Sequence, residues 1–286
     1  MALIKRALRK TTVIWSRLQP RYRVNGLTIP GQAENVGLIF WQPNWKSQII
    51  ARVLKHRPGL FIDVGVNVGQ TLLDYHAAPL RNGYLGFEPN PRCVQRVDDI
   101  ISASQVADCE IVPAGLADQS GVISLYVNPQ DKTDACATVV KDLRPGFITQ
   151  AIYVPAFRFD DESDKIVKGR FISLVKIDVE GGELGVITGM AQTLRDQKPW
   201  IICEVLHRAP SADPDVQRAS NAELMRALTA VNYKVFRIEK DEGEREIAGF
   251  TPMDEFPNWI FEREKNGHLC DYLFVPDGTD PQTLAK

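Results

Sequence analysis

What this sequence has little of narrows its function first. No run approaches the ~18 consecutive apolar residues that a bilayer-spanning helix needs, and the basic amino terminus leads into no uninterrupted apolar stretch, so neither a spanning helix nor a cleaved signal peptide is expected. The five cysteines, Cys93, Cys109, Cys136, Cys203 and Cys270, form no CxxC pair. An odd, dispersed set reads as reduced thiols of a cytoplasmic protein, not as a disulfide framework or a cysteine-built zinc site. Charge of either sign is not in excess: a net −2 implies no general attraction to nucleic acid. There is no internal repeat and no low-complexity linker. The rest is an ordinary globular composition, 44% hydrophobic over 286 residues, enough for one large core with appendages.

One absence is local. Residues 1–23 contain Lys5, Arg6, Arg9, Lys10, Arg17, Arg21 and Arg23 but no acid. As a helix, this stretch would gather Leu3, Ile4, Ala7, Leu8, Ile14, Trp15 and Leu18 largely on one side. Two readings stand side by side: a peripheral membrane contact through residues 1–24 at an anionic, inner membrane face, and a packing arm or oligomer contact with a solvated basic face. Residues 1–45 are therefore read as a basic N-terminal extension with helical character, and residues 46–286 as the main domain.

From residue 46 a regular pattern begins. Helix over Ser47–Leu54, strand over Leu60–Val64, helix over Gly69–Ala78, strand over Gly83–Phe87, helix over Arg92–Ser102 and strand over Glu110–Pro113 alternate, with strands apolar on both faces. That is the pattern of an α/β fold, a mostly parallel sheet with helices on both faces. Period-two alternation in Gly121–Val127, part of Ala135–Val140 and Tyr153–Phe157 predicts a small β insertion over one end of that sheet. The alternation resumes with a strand at Phe171–Ile177, a helix at Glu183–Leu194 and a strand at Trp200–Val205. A helix at Asn221–Val231 and strands at Lys234–Ile238 and Tyr272–Val275 complete it. Charged Lys240–Glu246 reads as a loop or hairpin tip.

Three strand ends carry acids. Phe61-Ile-Asp-Val-Gly-Val-Asn-Val-Gly-Gln70 runs from an apolar strand through Asp63 into Gly65, Asn67 and Gly69 at the start of a helix. Glycine tolerates positive φ and close ligand approach at such a junction. The spacing is not Gly-x-Gly-x-x-Gly, and no Gly-Lys-Ser/Thr follows. Asp63 is a poor neighbour for a pyrophosphate and a good one for an α-ammonium group. That favours S-adenosylmethionine over NAD or ATP, although a tight turn with a capping Asp has the same appearance. Glu88, ending the next strand in Gly83-Tyr-Leu-Gly-Phe-Glu-Pro-Asn-Pro91, is placed to accept hydrogen bonds from ribose hydroxyls. Asp118, after the third strand, stands where an adenine amino group is expected, or simply forms a turn.

Across the topological switch point, Asp178 ends a further strand in Lys176-Ile-Asp-Val-Glu-Gly-Gly-Glu183. Glu180 follows it, and Glu183 suits a helix start. Glu204 and His207 close the next strand, in Ile201-Ile-Cys-Glu-Val-Leu-His207. Asp178, Glu204 and His207 are the candidates to deprotonate a substrate hydroxyl. Asp178 and Glu204 are alternatively positioned to hold a divalent cation. His56, His76 and His268 read as surface or packing residues.

Taken in order and spacing, Asp-Val-Gly-Val-Asn-Val-Gly, Phe-Glu-Pro-Asn-Pro, Leu-Val-Lys-Ile-Asp-Val-Glu-Gly-Gly-Glu and Cys-Glu-Val-Leu-His resemble the FkbM family of S-adenosylmethionine-dependent methyltransferases over about residues 58–207. The resemblance implies a class I methyltransferase (Rossmann-like) fold with a seven-stranded sheet, six strands parallel and one antiparallel. It implies methylation of a hydroxyl on a sugar, a glycolipid or polysaccharide, or another secondary metabolite. It places Asp63, Gly65, Asn67, Gly69 and Glu88 at cofactor positions. Asp178 and Glu204 fall where catechol-type enzymes carry metal ligands, but Val205 replaces a further polar ligand, so a resident metal is not expected. An NAD-dependent reductase on a similar sheet and a non-catalytic cofactor-binding scaffold are the competing readings. The acceptor and the oligomeric state are not legible in the sequence.

Overall fold

The computed structural model describes residues 20–32, 35–131, 133, 136–141, 143, 150–207, 209 and 213–284. The expected helix of the basic extension falls on residues 1–19 and lies outside these.

The described chain opens with a hairpin, β1 (Arg21–Val24) and β2 (Leu27–Pro30). Then come α1 (Trp45–His56), β3 (Leu60–Val64), α2 (Gln70–Ala77), β4 (Tyr84–Phe87), α3 (Pro91–Ser104) and β5 (Cys109–Val112). A second sheet follows, formed by β6 (Gly115–Leu116), β7 (Gly121–Val127) and β8 (Gln150–Phe157). The main alternation resumes with α4 (Phe159–Val167), β9 (Ile172–Ile177), α5 (Glu183–Gly189), α6 (Ala191–Gln197) and β10 (Trp200–Glu204). It ends with α7 (Pro214–Ala230), β11 (Tyr233–Lys240), β12 (Ile247–Met253) and β13 (Asp271–Pro276).

The main sheet has the order β12-β11-β13-β10-β9-β3-β4-β5. Neighbours from β5 to β10 pair in parallel; β13 is antiparallel to both β10 and β11. This is the class I methyltransferase arrangement, six strands in one direction and β13 reversed. The expected seven strands are, however, eight. The charged Lys240–Glu246 stretch is a hairpin tip, as its composition suggested, and it folds β12 back onto β11 as an added edge. Crossovers run from β3 toward β4 on one side and from β9 toward β10 on the other, so the crevice opens at the carboxyl ends of β3 and β9.

Strand periodicity divides the core into two layers. Leu60, Ile62 and Val64 of β3 point to one side, with Val186, Ile187, Leu224 and Leu228 of α5 and α7. Phe61 points to the other, with Ile49, Ile50, Val53 and Leu54 of α1 and Leu72, Leu73 and Tyr75 of α2. Leu27, Ile29 and Leu38 lie in this second layer. Leu27, Ile29, Leu38 and Trp45, within the presumed extension, are therefore core residues. The hairpin is tied to α3 by Thr28 N–H donating to Ser104 Oγ at 2.7 Å.

Local chemistry accounts for the helix starts. Asn44 and Ser47 form a reciprocal capping box on α1. Asn90 caps α3 with Pro91 in its first turn, and Asp213 caps α7 with Pro214 behind it, so α7 starts seven residues before the expected Asn221. The helix expected over Glu183–Leu194 is two, broken at Met190. A Cβ on Gly189 would lie 2.2 Å from the Ala117 carbonyl oxygen, so the chain passes close to the β6 loop there.

Candidate active site

A cavity of about 270 Å³ opens where the ends of β3, β4, β9 and β10 meet the second sheet. Gly65, Val66 and Asn67 form its floor. Glu88 and Pro89 stand on one side, and Asp178, Val179, Glu180 and Glu204 on the other. The β insertion supplies an apolar wall of Leu116, Ile123 and Leu125, with Ala137 and Val139 from the loop after β7. Ile123 and Leu125 of β7 place the expected insertion over this end of the sheet; in the stretch near residues 135–140, the described residues carry a bridge from Thr138 to Tyr126 rather than a strand.

The glycine loop is shaped by contact. Gly65 has φ +85°, and a Cβ there would sit 1.9 Å from the Asp178 carbonyl oxygen. The ends of β3 and β9 thus press together with no room for a side chain. Asn67 also has positive φ, and Gly69, at φ +98°, caps α2. The loop backbone bends back so that Asn67 N–H donates to Glu88 Oε2 at 2.8 Å, while Glu88 Oε1 accepts from Asn90 N–H at 2.8 Å. Each Glu88 oxygen keeps capacity for a further donor. Burial, only partly offset by these two amides, pushes the Glu88 carboxyl up to about 7.

Behind the loop lies a charge cluster. Asp63 and Lys176 are direct neighbours in the β3–β9 register. The Lys176 ammonium donates to the Gly65 carbonyl at 2.9 Å and lies 3.2 Å from Asp178 Oδ2 and 3.4 Å from Asp63 Oδ1. Tyr84 donates its hydroxyl to the other oxygen of Asp63. Burial raises the pKa of Asp63 against the pull of Lys176 and Tyr84. Burial acts most strongly to raise Asp178, but the lowering influences, chiefly Lys176 and then Lys46, together outweigh it and hold Asp178 below the ordinary carboxylate value. Burial lowers the pKa of Lys176, and the carboxylates of Asp178 and Asp63 more than reverse this. Glu204 lines the same cavity, and burial, then the Asp178 charge, pushes its carboxyl up to about 9. The two acids are thus displaced in opposite directions, Asp178 below its ordinary value and Glu204 above.

Of the residues expected from sequence, Gly65, Asn67, Glu88, Asp178 and Glu204 meet at this cavity, with Gly69 just behind as the α2 cap. Three stand elsewhere. Asp63 is fully buried beneath the loop, so its carboxylate faces Lys176 and Tyr84, not the cavity. Asp118 is exposed in the turn after β6, and Gly115 and Leu116 line the cavity in its stead. His207 is buried away from the cavity: its Nε2 is 3.0 Å from the Asn266 carbonyl and its ring 5.5 Å from Trp259. The cause is local, since Val205 N–H donates to the Cys270 carbonyl at 2.8 Å and keeps the chain beside β13 past the end of β10. Sequence reasoning assigned no role to Lys176 or Lys46. Lys176 carries a signal, since it lies two residues before Asp178 and so on the same strand face; Lys46, on α1, carries none.

Among the described residues no group of three His, Cys, Asp or Glu side chains is placed to hold a metal ion, and none of their helices is long and apolar enough to cross a membrane. Lys176 Nζ lies 3.2 Å from Asp178 Oδ2.

Among solved structures, the chain is similar to an FkbM methyltransferase from Methylobacillus flagellatus KT (12% identity, 89% of this chain and 48% of that one, TM-score 0.42). It is also similar to an O-methyltransferase from Bacillus cereus in complex with SAH (10% identity, 81% and 80%, TM-score 0.43). An SAH-bound methyltransferase from Podospora anserina aligns over 95% of both chains at 8% identity and a TM-score of 0.41. The chain spans about half the length of the Methylobacillus protein. No curated protein matches it. The family model described as the methyltransferase FkbM domain matches residues 63–235, from Asp63 at the glycine loop through Glu88, Asp178 and Glu204 into β11. The chain belongs to the FkbM methyltransferase family.

Proposed function

We propose that the protein transfers a methyl group from S-adenosylmethionine to a hydroxyl of a small-molecule, glycan or glycolipid acceptor. The observation that carries this is the meeting, in one cavity, of Glu88 and the Gly65–Asn67 loop with the strand-end acids Asp178 and Glu204. The residues fit the cofactor. Glu88 has acceptor capacity left for ribose hydroxyls, and Leu116, Ile123 and Leu125 offer an apolar face to a base. When bound, S-adenosylmethionine supplies an already activated methyl group, so the protein need only align the acceptor oxygen and take up its proton. Asp178 is the acceptor-side base: Lys176, 3.2 Å from its Oδ2, favours its ionised form. With the cofactor bound, Asp178 would take up the proton of the acceptor hydroxyl. His207 has no part in this step.

The loop lacks the third glycine of a dinucleotide fingerprint, which counts against the reductase reading. The test is release of S-adenosylhomocysteine with a panel of sugar and polyketide-like alcohols. Asp178→Asn should abolish release while leaving S-adenosylhomocysteine binding intact, and His207→Ala should leave kcat unchanged. Wild-type protein that binds NADH but no S-adenosylhomocysteine would refute the proposal. Peripheral membrane contact through the basic amino terminus belongs to the same reading if the acceptor is a glycolipid.

A further inference from the structure

Lys46 lines the cavity, yet nothing in the chemistry above uses it. It sits in the first turn of α1, where the helix dipole disfavours a cation. Its backbone is nonetheless firmly held. Lys46 N–H donates to Asn44 Oδ1 at 2.9 Å, the preceding Trp45 is buried, and the following Ser47 Oγ donates to Asp74 at 2.7 Å. A locally unfavourable residue on a rigid mount facing a cavity is the kind of exception that function explains.

Its ammonium lies 5.7 Å from the Trp45 ring centroid, and among the described residues it has no carboxylate within 4 Å, so its charge acts on Asp74, Asp63, Asp178 and Glu204 only from farther off and its N–H donors stay open. The cavity's other cation is committed. Lys176 has three N–H donors, and Gly65 O, Asp63 and Asp178 take up its reach. Every other ionisable oxygen group at the cavity, Glu88, Asp178, Glu180 and Glu204, is an acid. A ligand bearing a carboxylate therefore meets one cation with donors to spare, and it stands on α1 next to Gln70 and Thr71 of the α2 start.

We infer that Lys46 binds the α-carboxylate of the cofactor's methionine portion, so that α1 and the glycine loop together hold the amino-acid end of the ligand. This rests on the S-adenosylmethionine reading. It also resolves the position of Asp63, which is sealed under the loop and cannot meet the amino-acid end directly.

The experiment compares two ligands that differ only at that end. S-adenosylhomocysteine carries the amino-acid group; 5′-methylthioadenosine has the same nucleoside and sulfur without it. Both are titrated calorimetrically into wild-type protein, Lys46→Met and Lys46→Arg. Lys46→Met is expected to weaken S-adenosylhomocysteine roughly 10- to 100-fold, the size of one charge-assisted hydrogen bond, and to leave 5′-methylthioadenosine within about twofold. Retained binding of the second ligand shows that the variant is folded, and Lys46→Arg should restore most of the loss. Equal weakening of both ligands, or no weakening of either, overturns the assignment. If wild-type protein binds neither ligand, the cofactor reading itself has failed, a result distinct from a failure at Lys46 alone.

Discussion

Glu88 gives the most quantitative handle on the site. Its two oxygens already accept backbone N–H groups from Asn67 and Asn90, and burial raises the carboxyl to about 7. If ribose hydroxyls donate to it, ligand binding requires the ionised form. Affinity for S-adenosylhomocysteine should then be flat above pH 8 and fall on acidification. Each pH unit below about 7 costs about tenfold as long as the bound-state pKa is lower still. Between pH 7 and 5 the dissociation constant should rise by roughly 50-fold, about 2.3 kcal/mol. Glu88→Gln should bind at pH 8 about as weakly as wild type does in acid, with no slope. The assay is isothermal titration from pH 5 to 8.5, with 5′-methylthioadenosine as a second ligand that carries the same ribose and should show the same slope. A wild-type dissociation constant that stays level across this range, or a slope that survives in Glu88→Gln, would refute the ribose assignment.

Two further outcomes concern stability. Gly65→Ala places a methyl group 1.9 Å from the Asp178 carbonyl at φ +85°, whereas Gly26→Ala at φ +83° meets nothing within 4 Å. Strain alone costs each about 1–2 kcal/mol, so thermal melts should show Gly65→Ala losing several kcal/mol more than Gly26→Ala. Glu183 accepts from Gly181 N–H at 2.8 Å, and burial raises its carboxyl from 4.5 to about 7. The native state thus holds a proton that the unfolded chain releases, so this stability is present below pH 4.5 and is lost as pH rises through about 7, some 3 kcal/mol in all. Urea melts should show that Glu183→Gln, which keeps the acceptor oxygen, removes that part of the decline; an unchanged pH profile would count against it.

Much of this architecture could be read from pattern. Apolar runs such as Leu60–Val64 and Ile172–Ile177 are buried on both faces and read as parallel strands because their alternate residues serve different core layers. Acids and glycines at strand ends marked the crevice, since hydrophobic periodicity breaks there for a reason. What was missed lacked a local signature. The β1–β2 hairpin and β12 are short pieces whose burial depends on α3 and β11, elements distant in sequence or reached only through a turn. The helix α4 was passed over because its amino-terminal turn is Asp160, Asp161 and Glu162, which reads as loop until Asp160 is seen to cap the start of α6 through Gln192 and Thr193 N–H.

The division is clearest at the site. By itself the sequence determined that this is an α/β chain with a glycine loop after its first parallel strand, an acid at each neighbouring strand end, and the motif set of its family. Those features depend on residues close together in the chain. Which acids face the cavity was decided only by tertiary structure. Strand register puts Asp63 beside Lys176 and Tyr84 and so neutralises it beneath the floor, the Cys270 carbonyl holds the chain after Glu204 and turns His207 away, and α1 brings Lys46 to the cavity from before the first motif. A side chain's partners are set by packing between elements, and a carboxylate's charge is set by those partners.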